Sequence, residues 1–144
     1  MRIRDILSEK GHAVVTISPR RTVQEAVELL VERNIGSVVV VEDSEVRGIL
    51  TERDILRLAA RRPGMFDELQ VAEIMTTDLV TADPDAEIED VMDVMTRQRV
   101  RHLPILHEHG LRGIVSIGDV VNALRKSAQD ENRHLKDYIR GHTY

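Results

Sequence analysis

The sequence predicts an α/β fold made of two copies of one β-α-β-β-α unit. Three observations carry that prediction. The chain matches itself at an offset of 65 residues, the distance from Asp54 to Asp119, with Val15, Thr16 and Pro19 falling on Val80, Thr81 and Pro84. Each copy runs from a proline turn into apolar residues at helical spacing. Each then shows two short apolar runs around a polar turn, closed by Gly-Ile-aliphatic-Ser/Thr-x-x-Asp. A self-match of this kind decides the architecture before any local reading does.

In chain order, the charged N-terminal stretch MRIRDILSEKG is amphipathic and has no continuous apolar stretch for a signal peptide. Its core, residues 3–7, matches residues 71–75 after a three-residue change in loop length. A short extended segment then ends at Ser18-Pro19 in the first copy and at Asp83-Pro84 in the second. Val23, Ala26, Val27, Leu30 and Val31 keep helical spacing, as do Ile88, Val91, Met92 and Met95, so each set predicts a helix with a core stripe. Residues 37–41 and 103–106 read as buried strands, with polar turns at 42–45 and 107–110. Second strands follow at 46–50 and 111–115, and final helices begin at Thr51 and Ser116. Arg61-Arg62-Pro63-Gly64 breaks the chain between copies. These boundaries give 1–64 and 65–126 as the repeats and 127–144 as a C-terminal tail extending the last helix. One copy has too little core to be comfortable alone, so the two are expected to pack as a pseudo-two-fold pair with N- and C-terminal helical extensions.

Composition narrows the function. Asp and Glu number 25 against 20 Lys and Arg, a net charge of −5, which gives no general field for nucleic acid. The absence of cysteine excludes a disulfide framework, a thiolate nucleophile and a Cys-based zinc site. Aromatics are only Phe66, Tyr138 and Tyr144, too few for a base-stacking platform. The longest apolar run, 38–41, is far too short to cross a bilayer, and a soluble cytoplasmic protein is expected. No P-loop, metal cluster or Ser-His-Asp order supports an enzyme.

The motif with chemistry is Gly48-Ile49-Leu50-Thr51-Glu52-Arg53-Asp54 and its copy Gly113-Ile114-Val115-Ser116-Ile117-Gly118-Asp119. A hydroxyl followed three residues later by a carboxylate forms a helix capping box, which needs no ligand. The same geometry suits a ribose. A carboxylate accepts hydrogen bonds from two vicinal hydroxyls, and the adjacent hydroxyl and helix N-terminal amides suit a ribose or phosphate oxygen. Recurrence after a Gly-led strand, at one offset, favours the binding reading.

With VTISPRRTVQEA and VTADPDAEIEDV, the strands SVVVV and RHLPIL, and GILTERD and GIVSIGD, residues 1–125 resemble a tandem pair of CBS domains. The resemblance implies two clefts between the repeats, adenosine ligands within them, and dimerisation of the pair. It makes Asp54 and Asp119 ribose ligands and places Thr51 and Ser116 beside the ribose or phosphate. Thr16 and Thr81 would line the clefts. Gly36, Ser37 and Val38, with His102, Leu103 and Pro104 in the second copy, would offer backbone to the adenine edge. Arg53 and Arg101 would supply charge near phosphates, and Arg99 adds to the second copy's excess of cations. Guanidinium groups suit phosphates better than a sulfonium, so AMP, ADP, ATP or NAD(H) is expected as a regulatory ligand, with no cofactor required. An alternative is that the arginines pair with Asp83, Asp85 and Glu87. A homodimer acting on an effector protein is expected.

Rival readings are an S-adenosylmethionine sensor, an interaction module with empty clefts, and a nucleic-acid-binding regulator using Arg97, Arg99 and Arg101. His107-Glu108-His109 lies at a turn, where polar residues are expected without a metal. Tyr138 and Tyr144 suit packing or dimer contact better than an adenine lid.

Overall fold

A computed structural model describes residues 1–141 of the chain. The elements run α1 (Ile3–Lys10), β1 (Thr16–Ile17), α2 (Val23–Arg33), β2 (Ser37–Glu42), β3 (Glu45–Thr51), α3 (Glu52–Arg61), α4 (Val71–Ile74), α5 (Ile88–Gln98), β4 (His102–His107), β5 (Gly110–Ser116) and α6 (Ile117–Gly141). Apart from the extended segment before Pro84, each expected strand and helix lies within a residue or two of its expected limits, and α6 carries the tail as far as Gly141 as one continuous helix. Tyr144 lies outside the described residues.

The chain divides into two compact units. One comprises Ala13–Val80 with Glu108–Leu111. Its sheet has the order β1-β2-β3, with β1 parallel to β2 and β2 antiparallel to β3. Val38, Val39 and Val40 of β2 are buried on both faces, as a continuous apolar strand requires. Ala26 and Leu30 of α2 pack with Val38, Val40, Leu50 and Val71 to form its centre. Helix α2 starts at a capping box between Thr22 and Glu25 and stops at Asn34, whose φ of 52° is left-handed. One expected core residue is misplaced: Val31 is 76% exposed, because the buried stripe runs through Val23, Ala26 and Leu30 and leaves Val31 beyond its edge.

The other unit comprises Met1–His12, Thr81–His107 and the chain from Arg112 on. Its buried residues come from α1 (Ile3, Ile6, Leu7), α5 (Ile88, Val91, Met95), β4 and β5 (Leu103, Ile105, Val115) and α6 (Val120, Ala123). Strands β4 and β5 form a two-stranded sheet. The extended segment expected before Pro84 is reduced to a single parallel bridge between Ala82 and Ile105. Pro104 explains the loss. At the matching position of the first copy, the Val39 N–H donates to the Val15 carbonyl at 3.2 Å, whereas proline has no N–H to offer Val80.

The compact units and the sequence repeats differ by an exchange of heads. Ile3 and Arg4 donate backbone N–H bonds to the carbonyls of Ala86 and Pro84, at 3.0 and 2.9 Å. Val71 and Ala72 make the corresponding bonds to Arg21 and Pro19, at 2.8 and 3.0 Å. Each head segment thus docks on the proline turn of the other sequence repeat, so residues 1–12 and 65–80 trade places relative to the 1–64 and 65–126 division.

Candidate functional site

In the first unit, β3 delivers Thr51 to the start of α3 as its N-cap. The Asp54 N–H donates to Thr51 Oγ1 at 3.4 Å, and the Thr51 N–H donates back to Asp54 Oδ2 at 2.9 Å. The Thr51 hydroxyl lies 3.3 Å from the same oxygen. Thr76 donates its hydroxyl to Asp54 Oδ1 at 3.1 Å. Ser37 and Val38 stand opposite Thr51 and Leu50 in the β2–β3 register, and Thr16 pairs with Val39 on the far side of β2. Gly36 joins this group through its carbonyl, which accepts the Glu52 N–H at 3.1 Å.

The second unit repeats the construction. Ser116 donates its N–H to Asp119 Oδ2 at 2.8 Å, and the Asp119 N–H donates to Ser116 Oγ at 3.1 Å. The Arg101 carbonyl accepts the Ile117 N–H at 2.8 Å, which fixes the start of β4 with His102, Leu103 and Pro104 against the head of α6. Here the carboxylate has a cation: Lys10 Nζ donates to Asp119 Oδ2 at 2.6 Å. Burial pushes the Asp119 carboxyl up. The Lys10 and Ser116 hydrogen bonds and the Lys10 charge together outweigh it, leaving the group below its ordinary range. Lys10, Asp119, Asn122 and Lys126 line a small cleft of about 190 Å³ between α1 and α6.

Two details modify the sequence reading. The helix N-terminal amides are less available than expected. The first goes to a carbonyl (Gly36 or Arg101) and the third to the capping hydroxyl, so two of the first three are taken in each copy. The capping reading is also real, since both motifs form reciprocal boxes. Thr22 and Glu25 form one too, in which hydrogen bonds from Arg21 and the Thr22 backbone hold the Glu25 carboxyl low. A carbonyl also takes the first amide of α2, where the Val23 N–H donates to Leu69 at 2.9 Å, so what sets the two Asp motifs apart is the strand that runs directly into each.

The acids considered as partners for the second copy's arginines each meet another basic group. Asp83 meets His107 at 3.0 Å, Glu87 meets Arg2 at 3.5 Å, and Asp85 pairs with Arg4. Arg53 and Arg101 are exposed, and Arg99 caps α5 with a left-handed φ of 55°. Thr81 is exposed next to the Ala82 bridge. His107 is thus committed to Asp83, while Glu108 and His109, with φ of 51° and 64°, are the two central residues of the β4–β5 turn. Among the described residues, no helix is long and apolar enough to cross a membrane.

Thr76 and Lys10 were not legible as site residues. Their only signal is the match of the two head segments, which says that something corresponding precedes each copy but not where it docks.

The sequence pattern of the CBS domain matches twice, over residues 3–61 and 71–126. The CBS domain-containing protein YhcV of Bacillus subtilis is 41% identical over 108 residues, covering 74% of this chain and 76% of its own. The mitochondrial CBS domain-containing protein CBSX3 of Arabidopsis thaliana is 34% identical, covering 96% and 72%. Among solved structures, the CBS-domain containing protein ATU1752 of Agrobacterium tumefaciens superposes with a TM-score of 0.83 at 37% identity, covering 85% of this chain and 98% of its own.

Proposed function

We propose, since this chain belongs to the CBS domain family as a tandem pair, that it is a ligand-sensing regulatory module for an adenine nucleotide. CBS pairs are regulatory modules known to bind adenosine ligands. The nucleotide, AMP, ADP, ATP or NAD(H), would bind in clefts between the two copies, with Asp54 and Asp119 accepting the ribose hydroxyls. The observation that carries this reading is the duplicated junction. Two carboxylates are held at the same place after the same strand, each beside a capping hydroxyl and a carbonyl-locked amide. Arg53 and Arg101, both exposed, supply donors for phosphates. The activity is binding rather than catalysis, and no cofactor is required.

Binding would shift the relative arrangement of the copies within a homodimer, and an effector protein would read the shift. Such coupling requires unequal affinity of the ligand for the two arrangements. Leu135, Tyr138 and Ile139, all more than 60% exposed on α6, support self-association.

Thermal unfolding of nucleotide-stripped protein against AMP, ADP, ATP, NADH and S-adenosylmethionine tests the reading. Ligand at about 100 times its Kd stabilises by roughly 2.7 kcal/mol, a rise of several degrees in Tm. The rise should disappear when Asp54→Ala and Asp119→Ala are combined. A specific observation favours a second reading as an interaction module: Val31 and Leu56, 76% and 72% exposed, line an apolar groove between α2 and α3. No shift with any of the five ligands would leave that reading standing.

A further inference from the structure

The two motifs differ in what already occupies their carboxylates. Around Asp54 the side-chain donors are neutral hydroxyls, Thr51 on Oδ2 and Thr76 on Oδ1. A hydroxyl rotates, and it can accept as well as donate. Around Asp119 an ammonium joins the Ser116 hydroxyl. Charge-assisted bonds of this kind are roughly twice as strong as neutral ones.

The placement of the ammonium matters more than its presence. The Lys10 bond and the Ser116 N–H bond both fall on Oδ2 of Asp119, which fills the two lone pairs of that oxygen. A vicinal diol gripping a carboxylate gives one hydroxyl to each oxygen. The hydroxyl that belongs on Oδ2 therefore meets Lys10 first. Lys10 is the last residue of α1 and its side chain is 34% exposed, so its tip can swing into water without moving the buried Ile3, Ile6 and Leu7 that anchor the helix.

We propose that Lys10 is a tethered competitor at the second motif. Its ammonium holds the Asp119 oxygen that a ribose hydroxyl needs, so the Thr51–Asp54 motif fills at lower nucleotide concentration. The Ser116–Asp119 motif fills only once Lys10 has been displaced. The inference rests on the nucleotide-binding reading and adds an order of filling to it. It makes the pair a graded sensor whose second step frees a lysine at the end of α1.

Calorimetric titration with AMP of the wild type, Lys10→Met, Lys10→Gln and Asp54→Asn separates the possibilities. In both Lys10 variants a second event should emerge, or the weaker event should tighten by about fivefold, the scale for losing a partly exposed ion pair. The event lost in Asp54→Asn should be unchanged in them. The gain should be absent with 2′-deoxy-AMP, which lacks the diol. An unchanged or weakened second event in both variants would overturn the competitor role. Binding to wild type that is lost in Asp54→Asn would meanwhile show that the nucleotide reading itself holds. No AMP event in the wild type or in either Lys10 variant would overturn both. Acetylation of Lys10 under limiting reagent, followed by mass spectrometry, gives an independent readout. Its rate should rise on AMP addition, and protection instead would make Lys10 a ligand contact and end the proposal.

Discussion

A methyl group on the α-carbon of Gly48 would sit 2.7 Å from the carbonyl oxygen of Thr76. The closeness follows from pairing: Ile49 and Thr76 exchange both backbone hydrogen bonds, each at 2.9 Å, drawing the segment after α4 onto β3. At the matching position, a methyl on Gly113 would meet Leu7 Cδ2 at 2.6 Å. Both motif strands are thus glycine-led because a head segment lies across them.

The two glycines should not respond alike to Ala. At Gly48 the obstacle is a hydrogen-bonded carbonyl, with Met75 close behind, so the backbone pairing must give way. At Gly113 it is the far end of a leucine side chain, which can change rotamer at a cost. Gly48→Ala should therefore lose about 2–3 kcal/mol and Gly113→Ala roughly 1–2 kcal/mol, the range for overpacking. Urea unfolding of the two variants checks the order, and equal losses would contradict it.

Three of the four central residues of the two hairpin turns, Ser44, Glu108 and His109, are poorly suited to them. Asp43 and Ser44, and Glu108 and His109, all have φ between 51° and 64° at the two central positions of two-residue turns. Such turns favour Asn-Gly, because side chains other than Asn and Asp are strained there. Ser44→Gly and His109→Gly should each stabilise the fold by about 1 kcal/mol, visible as a higher urea midpoint with unchanged slope. They should leave nucleotide affinity untouched, since neither residue touches a motif carboxylate.

The proposed binding would use the same hydroxyls that cap the helices, which decides how the site must be probed. Thr51→Ala removes the acceptor for the Asp54 N–H and should cost about 1 kcal/mol whether or not a ligand exists. Thr22→Ala removes an equivalent cap at α2, and should cost a similar amount without changing any nucleotide-induced shift in Tm. Thr51→Ala should lose the shift as well as the cap; if Thr22→Ala lost it too, the loss would be one of stability alone.

Much of this fold is legible in the chain because its signals are local. The run of valines from Val38 sets a buried strand, Thr51 and Ser116 mark helix starts, and the 65-residue offset between Asp54 and Asp119 doubles every inference. Two features escaped because they depend on distant partners. The exchange of heads rests on bonds from Ile3 to Ala86 and from Val71 to Arg21, which no local pattern encodes. The pairing of Lys10 with Asp119 spans 109 residues and follows from that exchange, so a lysine at the end of an amphipathic segment reads in sequence as an ordinary basic helix C-terminus. The loss of the second copy's first strand is subtler. Pro104 was visible throughout, but its consequence emerges only once its counterpart Val39 is seen donating to Val15.

The Lys10–Asp119 pair also predicts a pH dependence. Burial raises the Asp119 carboxyl, but the Lys10 hydrogen bond, the Ser116 N–H and the Lys10 charge lower it further, so its folded value lies below the ordinary 3.8. A carboxylate depressed on folding stabilises the folded state above its unfolded pKa, and that contribution is lost as pH falls through the folded value. The pair is partly exposed, which keeps its contribution to about 1 kcal/mol or less. Asp119→Asn should accordingly be less stable than wild type at pH 7, by the same margin at pH 5, and the gap should close below pH 3.8. Lys10→Met should remove most of this dependence by itself, because it takes away the hydrogen bond and the charge that oppose burial. Urea midpoints of the three proteins at pH 7, 5 and 3 measure it. A gap that widened toward pH 3 would mean that Asp119 is held protonated by burial, and that the ammonium contributes nothing to its state.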